Sequence, residues 1–166
     1  MSKKEMILDQ LAVCRNEDSW IKPLSAALKG LRIEEVIWKP NEASNSISEI
    51  TSHLLFYNRR WLKRFKGEPV GDSPELNAST FRAIEALTET VWQNHVAELD
   101  ANLLEWQKAI RGTTEEELHN SIPEFPAEAV WWEALSNLCT HNTYHIGQII
   151  YIRKALGNWE IAADWE

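Results

Sequence analysis

The chain has 166 residues, 44% of them hydrophobic and 25% charged, and a formal net charge of −8 at pH 7. This composition is typical of a globular protein and excludes a disordered chain, and the length predicts a single domain over residues 1–166. The negative charge would repel a phosphate backbone or an anionic lipid surface, so neither nucleic acid nor a membrane is expected as a partner.

The first predicted helix is bent or divided into two parts. Apolar residues recur at helical spacing between Ile7 and Cys14, and a turn signal follows at residues 16–19. Pro23 suits the first turn of a continuing helix, because the N–H group it lacks would have no partner there. This second part is predicted to end at Gly30.

The second long helix has clear signals at both ends. Ser46 and Glu49 have the spacing of a capping box, and Gly67 suits the end of a helix. Residues 67–87 are rich in Gly, Pro, Asn and Ser and are predicted to form a long connection, with a helical turn between residues 78 and 86.

Two further long helices complete the chain. Thr88 is the predicted cap of the third, which should end at Gly112, and Pro126 is the predicted first residue of the last helix, which should end at Gly157. No alternating strand pattern and no Asn-Gly or Asp-Gly hairpin signal occurs. The pattern predicts an all-α fold, a four-helix bundle with one long crossover connection.

The amino terminus offers no targeting signal. Its first residues contain charges in place of an apolar signal segment, and no apolar run approaches the roughly 20 residues that cross a bilayer. We therefore expect a cytoplasmic protein.

A histidine pair on the last helix is the clearest chemical feature. His141 and His145 are four residues apart and lie on one helical face, with Cβ atoms about 6 Å apart. Two imidazoles at this spacing can occupy neighbouring positions around one metal ion. The zinc-protease motif H-E-x-x-H has the same spacing, but here Asn142 stands where that motif has its catalytic Glu.

His53 is the predicted third ligand. It lies three residues after Ile50 and four before Tyr57 on the apolar face of the second long helix, and so points inward. The alternative is that these histidines are core residues with satisfied hydrogen bonds. Metal binding is favoured because burying three imidazoles is costly unless their lone pairs are bound. Three ligands leave coordination positions open, as in catalytic sites, and zinc, nickel and iron all accept imidazole.

The remaining two histidines are not assigned to the site. His95 has no partner at ligand spacing, and core or surface packing explains it better. His119 follows an acidic turn and is expected to be solvated.

Two segments resemble the DinB/YfiT-like superfamily. In the second long helix the similar residues are His53 and the run Tyr57-Asn58-Arg59-Arg60-Trp61, followed by Gly67. The last helix contains H-x-x-x-H-x-G-Q-I intact, from His141 to Ile149. The resemblance covers about residues 3–159.

The resemblance implies a bundle of four main helices with one divalent metal ion bound by His53, His141 and His145. Zinc and nickel are the metals most familiar in the family, and iron is a third candidate. It also implies a small-molecule substrate, and a homodimer is one of the expected oligomeric states.

Three further residues are predicted to shape the pocket. Gln148 lies one turn from His145 and can orient a ligand or hold water, although a buried amide bonded to backbone explains it equally well. Tyr57 and Arg60 follow His53 by one and two turns. Arg60 would suit the carboxylates of a thiol co-substrate, and a surface salt bridge is the equal alternative.

Three functions remain open from the sequence. The first, which the family resemblance implies, is a metal-dependent transferase that conjugates a low-molecular-weight thiol to small electrophiles, with metal-dependent hydrolysis of a small amide or ester as its enzymatic alternative. The second is a non-catalytic stress-response protein that binds a metal or small molecule. The third is a structural bundle in which the histidines are only core residues.

Overall fold

The computed structural model describes residues 1–74 and 76–159. In these residues the fold is all-α, and no strand is present beyond an isolated bridge between Ser121 and Val130. The helices are α1 (Lys3–Arg15), α2 (Leu24–Leu28), α3 (Ile33–Ile37), α4 (Ile47–Phe65), α5 (Glu89–Gly112) and α6 (Trp131–Ala155). No described helix combines the length and apolar character that a membrane span requires.

The four long helices form the predicted bundle. Helices α1 and α4 each pack against both α5 and α6, so α1 lies diagonally across from α4. The first helix is in two parts as predicted, since α1 ends at Arg15 and α2 begins directly after Pro23. The short helix α3, which packs on α4, was not predicted.

Local signals account for most helix ends. The Ser46 hydroxyl accepts from the Glu49 amide, and the Glu49 carboxylate accepts from the Ser46 amide, so the predicted capping box is present. Thr88 caps α5 as predicted. Past α4, Gly67 has a φ of +72°, and the next amide donates to the Lys63 carbonyl at 2.8 Å. Only glycine adopts this left-handed conformation readily.

The predicted start of the last helix is wrong. Helix α6 begins at Trp131 and not at Pro126. The residues before it form a folded-back loop, in which the Ile122 amide donates to the Ala129 carbonyl and the Trp131 amide to the Asn120 carbonyl. These non-local bonds satisfy the backbone and delay the helix, and neither has a signal in the local sequence.

Two arginines connect the bundle elements. Arg15 on α1 forms a two-point ion pair with Asp100 on α5, with both N–O distances at 2.8 Å. Arg153 on α6 is buried and donates to the carbonyls of Ala26 and Ala27 near the end of α2. Helix C-terminal carbonyls favour a cation, so this contact fixes the second part of the first helix against α6.

A reciprocal amide pair joins α4 to α6 inside the core. The Asn58 side-chain amide donates to Asn142 Oδ1 at 2.7 Å, and the Asn142 amide donates to Asn58 Oδ1 at 3.0 Å. Both side chains are buried, at 0% and 2% exposure. Leaving a buried amide without its partner costs more free energy than the hydrogen bond contributes to stability. The pair therefore specifies the register of α4 against α6.

Replacing Asn142 with Ala should destabilise the fold by about 2–3 kcal/mol, because it leaves the Asn58 carboxamide buried without its partner. The double variant Asn58→Ala/Asn142→Ala should cost less than the sum of the single variants, since it removes both halves of one interaction. Urea denaturation measures both quantities. Thr140→Ala, at an exposed position on α6, is the control. A cost for Asn142→Ala no larger than that of the control would contradict the assigned role.

Candidate metal centre

The three predicted histidines come together between α4 and α6. Ring nitrogens of His53, His141 and His145 lie within 4.8 Å of one another, and the rings of His141 and His145 have centroids 4.6 Å apart. His53 and His145 are buried, at 1% and 5% exposure, and His141 is half-buried. Among the described residues, no fourth His, Cys, Asp or Glu joins this group.

A hydrogen-bond chain determines which nitrogen of His53 carries the proton. The Thr80 hydroxyl donates to the Asn77 carbonyl at 2.6 Å, so its oxygen is left to accept from His53 Nδ1, also at 2.6 Å. His53 is therefore protonated on Nδ1, and its Nε2 lone pair is available. Phe81 stacks on the same ring at 3.9 Å and contributes to its burial.

His145 is oriented in the same way. Its Nδ1 lies 2.7 Å from Gln148 Oε1, which can only accept, so this nitrogen also carries the proton. The Gln148 amide in turn donates to the Tyr144 hydroxyl at 3.1 Å, which is consistent with this amide orientation. Such outer partners set the tautomer of metal-ligating histidines in general.

His141 is the ring whose hydrogen bonding is incomplete. Its Nε2 lies 2.9 Å from His53 Nε2, while its Nδ1 is buried without a partner. Within the described chain, one proton from His141 can satisfy the lone pair of His53, and no donor reaches Nε2 of His145. Three neutral nitrogen donors with unsatisfied capacity fit a divalent metal ion.

Burial keeps these imidazoles neutral. Desolvation, followed by the proximity of His145 and His141, lowers the pKa of His53 to about 3. Desolvation, followed by His145, lowers the pKa of His141 to about 4, and desolvation also lowers the pKa of His145. A metal ligand must be unprotonated, so at neutral pH all three rings are in the form that binds a metal.

The histidines form one wall of an open cavity of about 740 Å³. Its other walls carry aromatic side chains from α4, α6 and the two connections: Tyr57, Trp61, Phe81, Phe125 and Tyr144. The cavity lies within the size range of small-molecule sites. A ligand bound there would reach the open side of the histidine group.

Of the other three predicted pocket residues, two line this cavity and one does not. Tyr57 and Gln148 line the cavity. Arg60 does not line it, because its guanidinium donates to the carbonyls of Val70, Gly71 and Asp72 in the long connection. The guanidinium of Arg60 therefore fixes the long connection to α4 and does not contact the histidines.

The two unassigned histidines lie apart from the group. His95 is half-buried, with Nε2 3.1 Å from the Thr51 hydroxyl, and stacks on Trp92. His119 is exposed, and its Nε2 lies 3.3 Å from the Lys3 ammonium.

Thr80 and Phe81 were missed by the sequence analysis. Thr80 is the last residue of a 3₁₀ turn at Asn77–Thr80 in the long connection, and Phe81 follows it directly. The turn overlaps the helical turn predicted between residues 78 and 86. Neither residue has a periodic pattern or a motif that marks it. Only the return of this connection over α4 places them against His53.

Asn142 also has a role that the motif comparison could not show. It stands where the zinc-protease motif has its glutamate, yet its side chain points into the core and pairs with Asn58. The position is therefore occupied by a helix–helix contact.

The lowered pKa values predict an acid-labile metal-free protein. Histidines of the unfolded chain take up protons below about pH 6.5, whereas His53 and His141 remain neutral in the fold down to a pKa of about 3 and 4. The unfolded state then binds more protons, so stability is full above pH 6.5 and falls as the pH is lowered, by about 1.4 kcal/mol per pH unit for each histidine.

Urea unfolding in the presence of chelator, between pH 7.5 and 5, measures this loss. The variant His53→Gln should show a shallower dependence on pH, because it lacks one of the titrating groups. An unchanged slope in that variant would contradict the assignment.

A sequence model of the DinB superfamily matches residues 18–149. The matched range includes α4, α5 and the part of α6 that carries His141 and His145. No curated protein and no solved structure gives a significant match. Because the match spans most of the chain and contains all three clustered histidines, the chain belongs to the DinB superfamily.

Proposed function

We propose that the protein is a metal-dependent enzyme that holds one divalent ion, zinc or nickel before iron, through His53, His141 and His145. The observation that carries this proposal is the orientation of the group. Thr80 and Gln148 accept hydrogen bonds from the Nδ1–H groups of His53 and His145, and the histidines border a cavity of about 740 Å³. Membership in the superfamily supports it.

The absence of a fourth ligand in the described chain favours catalysis over sequestration. A protein that only stores or carries a metal commonly closes the coordination sphere, as structural zinc sites do with four ligands. Here no further His, Cys, Asp or Glu of the described residues joins the three histidines. The open side borders the cavity, where a small substrate can approach.

The preferred reaction is transfer of a low-molecular-weight thiol to a small electrophile. When held by these neutral histidines, a divalent ion would keep its full charge and would lower the pKa of a thiol bound beside it. The sulfur then forms a bond to the electrophilic carbon, the leaving group departs from that carbon with the bonding electron pair, and the thiol proton passes to solvent.

In this reaction the chain's own residues position and shield the reactants. Thr80 and Gln148 hold the rings of His53 and His145 in one orientation. Phe81 stacks on His53 and excludes water from that side. Tyr57, whose hydroxyl donates to Asn77 Oδ1 at 2.9 Å, borders the cavity and orients what binds there.

Hydrolysis of a small amide or ester is the second candidate, and the position of the carboxylates counts against it. Glu133 is the only carboxylate among the described cavity residues, and it precedes His141 by eight residues on α6. That separation is about 12 Å along the helix axis, too far for a base acting on water at the histidines.

We expect about one divalent ion per chain, and His53→Ala, His141→Ala or His145→Ala should each reduce metal content sharply, because two imidazoles bind a metal far more weakly than three. Elemental analysis of the purified variants measures this. His95→Ala and His119→Ala are the matched controls and should retain the ion. Full occupancy in His145→Ala would refute the ligand assignment.

Thiol transfer is tested with metal-loaded protein, a monochlorobimane-type acceptor and several thiols, including bacillithiol and glutathione. We expect conjugation that chelator abolishes and that His145→Ala lacks. A parallel assay with nitrophenyl esters tests hydrolysis. Equal conjugation rates with and without chelator would exclude the transferase, and inactivity in both assays would favour the binding protein.

A further inference from the structure

The cavity that borders the histidines has an uneven distribution of charge. Its described lining contains one carboxylate, Glu133, and neither lysine nor arginine. Glu133 is exposed and makes no hydrogen bond or ion pair with another described residue. The cavity therefore contains one unpaired negative charge, which no cation in its walls balances.

Glu133 and the histidines mark opposite ends of one wall. Glu133, Asn137 and His141 follow one another on α6 at intervals of four residues, and all three line the cavity. The rise of an α-helix puts Glu133 about 12 Å from His141 along the axis. A molecule that contacts both ends must be elongated.

The surface between the two ends is aromatic and aliphatic. Trp61 and Phe125 pack with ring centroids 5.6 Å apart, and both line the cavity with Leu138 and Ala134. Such walls bind the apolar body of a ligand, and their aromatic faces also attract cations.

One guanidinium lies close to the aromatic walls without supplying a positive charge to the lining. Arg64 stacks on Trp61 and Phe125, at 5.5 Å and 5.0 Å from their ring centroids, but it does not line the cavity. Its Nη2 lies 3.5 Å from a carboxylate oxygen of Glu124, which offsets its charge.

We propose that the cavity accepts an elongated, largely apolar molecule with a protonated amine at the end distant from the histidines, where Glu133 binds it. This inference rests on the proposed function, because it takes the histidine end of the cavity as the reacting end. The inference limits the substrate class to amine-bearing compounds whose reacting atom lies about 12 Å from the amine. At the Glu133 end, the described lining has no lysine or arginine that could pair with a carboxylate.

Glu133 lies in the first turn of α6, a position at which carboxylates are common. A protonated amine near it gains an ion pair that an alcohol of the same shape does not.

Calorimetric titration with 4-phenylbutylamine and with the neutral 4-phenyl-1-butanol tests the inference on both metal-loaded and chelated protein. The amine should bind more tightly than the alcohol. Glu133→Gln should weaken amine binding by about two- to fivefold, the range of an exposed ion pair, and leave the alcohol unchanged.

Glu128→Gln is the matched control, because Glu128 is exposed just before α6 and does not line the cavity. Equal affinity for amine and alcohol, or the same effect from both substitutions, would overturn the inference. Since the chelated protein is titrated as well, the amine preference is measured independently of metal content and turnover. A failure of the proposed function and a failure of this inference are therefore distinguishable.

Discussion

The packing of α4 against α6 is the constraint on which the candidate site depends. His53 lies on one of these helices and His141 and His145 on the other, so a change in register would separate the rings. The reciprocal pair of Asn58 and Asn142 opposes such a change, because any slip leaves two buried amides without partners. Trp106 on α5 supports this contact by donating to the Asn58 carbonyl.

The same packing explains how the fold tolerates the free-energy cost of burying three imidazoles. The three buried imidazoles lose their hydrogen bonds to water, and Thr80 and Gln148 replace only some of these bonds. Apolar packing elsewhere, including the fully buried Trp92 and Trp106, supplies the stability that tolerates this. Incomplete satisfaction of polar groups is expected where a fold has been shaped around a ligand, and less so in a purely structural core.

The cavity combines two requirements that a reaction at the histidines would impose. Aromatic walls exclude water and receive an apolar body, while an open side leaves room for a small molecule. Glu133 is the one charged side chain of the described lining, and a divalent ion at the neutral histidines would bring positive charge to the other end of the same helical wall.

The sequence by itself determined the parts of the protein that depend on local periodicity. The four-residue spacing of His141 and His145, the inward position of His53, the capping box at Ser46 and the glycine after α4 all follow from helical geometry, and the structure agrees with them. The all-α bundle with its divided first helix was predictable for the same reason.

Only the tertiary structure decided which residues from the connections reach the site. Thr80 contacts His53 because the long connection folds back over α4. Arg60 donates to carbonyls of the same connection. The loop before α6 moves the start of that helix from the predicted Pro126 to Trp131. These outcomes depend on contacts between residues distant in sequence. Local propensity does not predict such contacts, because the free energy that favours them arises only when the helices are packed.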